Sequence, residues 1–305
     1  MRRADWERVV AEGYRVPHGV ELDTLTIELV AMLGDPDPRV RDDLAFSVLD
    51  TWISEGVYDD LLAGLGDGLA HGLRERVGEV GTLSILRRSL SAVALASVIT
   101  RDNVTHTLHP SIILTWADRA VSWFLAERDL RTELPDAGWS SPISHGSDLI
   151  GALSASRYLG ADELTVLLDV VSERLAIATE FRFSTAETDR LAFATMSLLH
   201  RDLVSVDTLE SWIDRLGRAW LGTSSGHAAG PPTETVAQAN TMNFVRALHL
   251  QLLLGVGPTP AQNASGHEPR PPSVRSDLLI ALQRVVRTAT PWLFRGPSAG
   301  AKPVG

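Results

Sequence analysis

The sequence predicts an all-α protein built from stacked antiparallel helical hairpins. Three observations carry that reading. Apolar residues recur at the helical period along most of the chain. Helix start and stop signals flank those runs, and no stretch shows the sustained alternation of a half-buried strand. Composition agrees: aromatics are only 6% against a hydrophobic fraction of 44%, as in helical proteins dominated by Leu, Ala and Val.

The periodic runs place helices at about 4–12, 20–33, 38–55, 58–76, 82–100, 110–127, 142–159, 162–180, 185–201, 207–221, 233–254 and 273–290. Leu164, Leu167, Leu168, Val171 and Leu175 form one stripe, Leu209, Ile213, Leu216 and Trp220 a second, and Leu278, Leu282 and Val285 a third. Ser184 with Glu187 and Asp207 with Glu210 have capping-box spacing. Ser141-Pro142 sets a cap before a proline at the first helical position, and Gly34, Gly56, Gly160 and Gly222 mark expected C-termini. Ile112 to Trp116 is the nearest approach to a strand, but it lies inside a helical-period run. Connections are short, so consecutive helices fold back on one another.

The segment Leu33 to Asp42, with its Asp/Pro turn, has the look of a HEAT-type repeat, in which Val40 packs inward and Arg41 reaches an acid of the next repeat. It does not recur at a period of about 40 residues. The expectation is therefore a HEAT- or armadillo-like right-handed α-superhelix without a strict repeat. One helical domain is expected over 1–254, with a Pro/Gly-rich linker at 255–272 and a C-terminal helix at 273–293 docking on the same domain. A disordered tail is expected at 294–305, and a loose loop at Gly222–Pro232.

Several function classes are excluded by composition. There is no cysteine, which removes disulfides, thiolate nucleophiles and Cys-based metal sites. The only lysine is Lys302, so a Walker-type phosphate site, Schiff-base chemistry and a lysine general base are not expected. A net charge of −10 argues against nucleic acid, and no apolar run reaches the ~20 residues that span a bilayer. The charged N-terminus lacks a signal-peptide core, so the expected location is the cytoplasm, with no nucleic-acid or membrane partner. Basic pairs at Arg74/Arg76, Arg87/Arg88 and Arg284/Arg287 read as solvated helix faces or dipole-compensating last turns. Gly64-Leu-Gly-Asp-Gly68 follows a helical run rather than a strand, so its glycines read as close helix packing, not a dinucleotide loop.

One segment concentrates polar chemistry: Glu127, Asp129 and Arg131, then a loop, then Gly138-Trp139 and, near the next helix start, His145-Gly-Ser-Asp148. His145 and Asp148 are three apart and share a helix face, where an imidazole and a carboxylate could converge on one proton. Glu127, Asp129, His145 and Asp148 are thus the candidate acid–base residues. The structural alternative pairs Arg131 with Glu127 or Asp148, plugs a groove with Trp139 and uses Gly146 for a close helix crossing.

Arg88-Ser-Leu-Ser91, Glu127-x-Asp-Leu-Arg131, Gly138-Trp139 with His145-Gly-Ser-Asp148, Asp189-Arg190-Leu-Ala192 and Asn243-Phe-x-Arg-Ala-Leu248 occur in an order that resembles the bacterial domain-of-unknown-function family 2785, over about residues 25–255. The resemblance implies an all-helical domain and brings no established activity. It also implies a central motif with two histidines four apart; Ser141 stands where the first is expected, and Thr132 where a glycine is expected after Arg131. A zinc site needs three or four ligands, so no metal or other cofactor is expected, and an enzymatic member with these changes would be weakened or inactive.

The functional expectation is a non-catalytic helical module that binds a protein or small molecule, with Arg88, Arg131, Trp139, Asp189, Arg190 and Asn243 as binding candidates. The alternative is a hydrolase-like enzyme using Glu127, Asp129, His145 and Asp148.

Overall fold

Helices form where the apolar period and the local caps agree. The computed structural model describes residues 1–221, 234–257 and 270–294. The expected loop at Gly222–Pro232, the middle of the 255–272 linker and the tail from 295 onward, including Lys302, lie outside the described residues. Among the described residues twelve α-helices run in order: α1 Arg3–Ala11, α2 Leu22–Met32, α3 Ser47–Ser54, α4 Leu62–Gly72, α5 Ser84–Thr105, α6 Pro110–Ala126, α7 Pro142–Ala155, α8 Ala161–Ala176, α9 Glu187–Leu199, α10 Val206–Leu221, α11 Val236–Leu254 and α12 Arg275–Ala289. A π-helical segment, Arg39–Phe46, leads without a break into α3. The described chain is mostly helical, and none of its helices is long and apolar enough to cross a membrane.

The caps differ from expectation in detail. Gly160 precedes α8 rather than ending α7, and the Glu163 carboxylate accepts its backbone N–H at 2.9 Å. Ser205, not Asp207, caps α10, its hydroxyl accepting from the Thr208 N–H at 3.2 Å. α5 runs on to Thr105 and closes with His106 in the left-handed conformation. Among the described residues one short antiparallel pair interrupts the helices: Glu133 pairs with Trp139 and Leu134 with Gly138. Two residues a side are too few to leave an alternating pattern, so this ladder was not expected from sequence. Its turn needs positive φ at Asp136 (63°) and Gly138 (71°).

Contacts sort the helices into two layers. α3, α5, α7, α9 and α11 each pack on the next in one layer, and α2, α4, α6, α8, α10 and α12 do so in the other. Pairs such as α4–α5 and α6–α7 join the layers, and α12 packs on both α10 and α11. The apolar stripes meet between them in one continuous core, which includes the expected Leu164, Leu167, Leu168, Val171 and Leu175. Burying a side chain of this size stabilises by about 1.5–3 kcal/mol, so the stripes rather than propensity hold the layers together. Fully buried tryptophans find partners for their indole N–H: Glu28 for Trp6 and Asp67 for Trp116, both at 2.9 Å, and the Leu168 carbonyl for Trp212 at 2.8 Å.

The Leu33–Asp42 turn does cap as expected, Asp37 accepting from the Arg39 N–H at 2.9 Å. Arg41, however, does not reach an acid of another hairpin. It is fully buried, forms a fork with its neighbour Asp42 at 2.8 Å on both arms, and donates to the carbonyls of Asp35 (3.1 Å) and Trp139 (3.2 Å). That last bond ties the N-terminal hairpins to the β-turn that precedes α7.

Candidate functional site

The segment from Glu127 to Asp148 wraps the end of α6, forms the β-turn and enters α7. The turn is anchored by apolar contact of Leu134 and Ala137 with Ile85 and Leu86 in the first turn of α5. Gly146 lets α7 cross α6 closely: a Cβ there would stand 2.4 Å from the Phe124 ring. The expected role of Gly146 is thus met.

Glu127 caps α6 and is buried against Arg88 of α5. Arg88 is not on a solvated face, as its place beside Arg87 suggested; it is fully buried. Its Nε and Nη2 donate to the two Glu127 carboxylate oxygens at 2.6 and 3.0 Å. Its Nη1 donates to the carbonyls of Glu75 (3.0 Å) and Arg76 (3.1 Å) and to the Ser84 hydroxyl (2.8 Å). Glu127 accepts further from the Trp123 indole at 3.1 Å and from the backbone N–H groups of Arg128 and Asp129, each at 3.0 Å. A second buried arginine, Arg174 of α8, donates to the Phe124 and Glu127 carbonyls at 3.0 and 2.9 Å. Burial, with the Arg128 charge, pulls the Arg174 guanidinium down to about 10, against the pull of Glu127. Two cations therefore clamp the negative end of α6.

Asp129 is also fully buried. Its partner is Arg131, bonded at 2.6 and 2.8 Å, and not Glu127 or Asp148 as Arg131's partner. The Gly81 N–H adds a bond at 2.9 Å, and Arg131 reaches the Thr82 carbonyl at 2.9 Å. Burial alone would raise this carboxyl, but Arg131 and the two backbone N–H groups outweigh it and hold Asp129 below the usual carboxylate range.

His145 faces α5, not the acids of the preceding loop. The Ser89 hydroxyl, fully buried, spends its one proton on the Ser140 carbonyl, so His145 Nδ1 is the donor in the 2.8 Å contact between them. Nε2 of the neutral ring is left as an acceptor. Burial, with the charges of Arg190 and Arg41, pushes the imidazole down to about 4 against the opposing pull of the Ser89 backbone. Asp148 points instead to Arg190 of α9, with which it forms an ion pair. Burial raises the Asp148 carboxyl and Arg190 offsets part of that rise.

The candidates thus separate into distinct networks: Glu127 on Arg88, Asp129 on Arg131, His145 on Ser89, Asp148 on Arg190. Among the described residues no group of three or more His, Cys, Asp or Glu side chains is placed to hold a metal. Trp139 does not plug a groove; it is 54% exposed, paired with Glu133 in the ladder, and its carbonyl accepts from Arg41. Asp189 is exposed, its carbonyl accepting from Gln251 at 2.8 Å. Asn243 accepts from Arg246 one turn on, at 3.2 Å.

A groove of about 490 Å³ opens elsewhere, on the layer of odd-numbered helices, between α3, α5, α7 and α9. Its lining includes small residues, Gly151, Ala152 and Ala155 of α7 and Ala194 of α9. A Cβ at Gly151 would make ordinary contact with Ala194, 3.4 Å from its Cα, so α7 and α9 lie close here. Asp148 and Arg190 stand on one wall. Opposite, Asp50 accepts from Ser97 at 2.6 Å, and Arg101 forks onto Asp59 at 2.6 and 2.8 Å. Asn103, 7% exposed, donates to the Ala152 carbonyl at 2.9 Å, while its Oδ1 is buried with no partner among the described residues. Of the residues singled out from sequence, only Asp148 and Arg190 line this groove. The others, Asn103, Ala152 and Ala194 among them, come from helices far apart in the chain, and no local signal marks them.

Residues 73–250 match the family model described as protein of unknown function (DUF2785). The chain belongs to that family. The DUF2785 match is narrower than the 25–255 expected: it begins after α4 and ends within α11. It takes in the Arg88–Glu127 pair, the β-turn, His145 and the groove walls from α5, α7 and α9, but not α3. No curated protein and no solved structure matches the chain.

The depressed His145 pKa has a measurable consequence. The unfolded ring titrates near 6.5 and the folded one near 4, so between these values the unfolded chain binds a proton that the fold excludes. This contribution to stability is complete above pH 6.5 and declines as the pH falls to about 4. His145→Asn is expected to flatten the stability–pH profile across that window, read by urea unfolding at each pH. Equal slopes for wild type and variant would rule His145 out as the source.

Proposed function

We propose that this DUF2785 member is a non-catalytic binding module that takes an extended peptide segment of a protein partner into the groove between α3, α5, α7 and α9. The observation that carries the reading is the contrast between the two regions. Glu127 and Asp129 are saturated by internal arginines and backbone N–H groups, whereas the groove offers open volume and small residues in its lining. Small side chains let a peptide backbone approach closely. In this reading the hairpins wind as a HEAT- or armadillo-like right-handed superhelix with the odd-numbered layer on its concave side, the face that such stacks use for extended partners. A cytoplasmic location fits the same reading.

Ala155→Trp fills the groove from a half-buried position and tests it. A protein captured from cell extract by the wild type is expected to bind the variant at least about tenfold more weakly, with the melting temperature unchanged. Equal capture by both would overturn the groove. The hydrolase-like reading is favoured by one observation, an Asp148 carboxyl raised by burial on the groove wall. Turnover of a small ester or amide by purified protein, abolished by Asp148→Asn, would replace the binding reading with that one.

A further inference from the structure

A second cavity, of about 470 Å³, lies between α11 and α12, away from the groove. The two helices pack antiparallel, and their register is set by two contacts. Arg275 at the start of α12 donates to the carbonyls of Leu252 (2.8 Å) and Leu253 (3.0 Å) at the end of α11, and Gln283 meets His249 at 3.4 Å. One further turn brings Arg287 of α12 level with Arg246 of α11, and both line the cavity.

Neither guanidinium has a carboxylate partner among the described residues. Arg246 reaches only the Asn243 side chain, at 3.2 Å, and Arg287 lies over the Phe294 ring, 4.8 Å from its centre. Among the described residues no acid lines the cavity, although the chain as a whole carries a net charge of −10. Two arginines without a carboxylate partner among the described residues form a positive spot on an acidic protein. The walls beside them are apolar: Val286, Leu250 (51% exposed) and Phe294 (50% exposed). From there an exposed stripe continues along both helices, through Leu253 (51%) and Ile280 (66%), away from the arginines. A cationic head region is thus joined to an apolar track.

We propose that this cavity binds an amphiphilic monocarboxylate, its carboxylate held between Arg246 and Arg287 and its hydrocarbon chain on Leu250, Leu253 and Ile280. The planar guanidinium fork matches a carboxylate, and one negative charge suits two facing arginines. A polyanion would meet the repulsion of the rest of the acidic surface. The volume falls in the range of small-molecule pockets.

The test is isothermal titration of the full chain with decanoate below its micellar concentration, with 1-decanol and decylamine as controls. Decanoate is expected to bind with a stoichiometry of one, and each control at least about tenfold more weakly. Arg246→Gln/Arg287→Gln, both at exposed positions, should leave the melting temperature unchanged and weaken decanoate by about tenfold or more, a loss of charge-assisted bonds. Ala155→Trp in the distant groove should leave decanoate binding as it was. Equal binding of decanol, a stoichiometry well above one, no binding at all, or full affinity in the double arginine variant would each overturn the proposal.

Discussion

Arg88→Met is expected to lower the unfolding free energy by about 3–5 kcal/mol, the range for breaking a buried ion pair from one side. The cost does not come from the lost attraction alone. Methionine fills much of the space, but it leaves the Glu127 carboxylate buried with only the Trp123 indole and two backbone N–H groups. It also strands the Glu75 and Arg76 carbonyls, which Arg88 satisfies at 3.0 and 3.1 Å. Domains of this kind have about 5–15 kcal/mol in total, so a large share of the stability rides on one side chain. Urea unfolding of Arg88→Met, Glu127→Gln and the double variant closes a cycle. The double variant should be more stable than the sum of the singles implies, by about 1–3 kcal/mol. A single variant costing under about 1 kcal/mol, or an additive cycle, would mean that the pair does not hold the α5–α6 junction.

The second large effect is expected at Gly66 in α4. A Cβ there would stand 2.2 Å from the six-membered ring of Trp116, which is fully buried and bonded through its indole N–H to Asp67. A ring held on both sides cannot yield cheaply, so Gly66→Ala should destabilise by about 1–3 kcal/mol, as overpacking does. Gly64 and Gly68 flank it in the same helix and have nothing within 4 Å of a built Cβ. Alanine at either should instead stabilise by about 0.5–1 kcal/mol, because it restricts the unfolded chain and favours the helix. Thermal melting of the three single variants reads out opposite signs within five residues. A stabilised Gly66→Ala would remove the close approach of α4 and α6 as an explanation for the glycines.

That triplet shows how far the sequence could be read. Its helical context excluded a dinucleotide loop, and close packing was the better expectation; which glycine makes the contact depends on Trp116, some fifty positions on. The same holds at the candidate site. The Glu127–Asp148 segment is legible as a concentration of polar residues with Arg131 among them, whereas Arg88 enters as a candidate only through the family resemblance. Their pairings are not legible. Arg88 sits beside Arg87 in a pattern that reads as a solvated face, and its partner lies 39 residues away. Ser89 and Arg174 carry no local signal at all, since a serine in a helix and an arginine in a last turn are ordinary.

What the sequence determined by itself was the order of the helices, the apolar stripe that each buries and the residue types that are missing. The first two follow from residues three or four apart. The tertiary structure alone decided which polar groups are consumed in holding the fold and where open surface remains. The Glu127–Asp148 segment reads as a site in one dimension, yet three dimensions spread its acids and histidine over separate partners. The groove shows the reverse: Asn103, Ala152 and Ala194 are unremarkable in the chain and meet only because α5, α7 and α9 stack. A cavity is made of the distances between helices, and no helix carries that information alone.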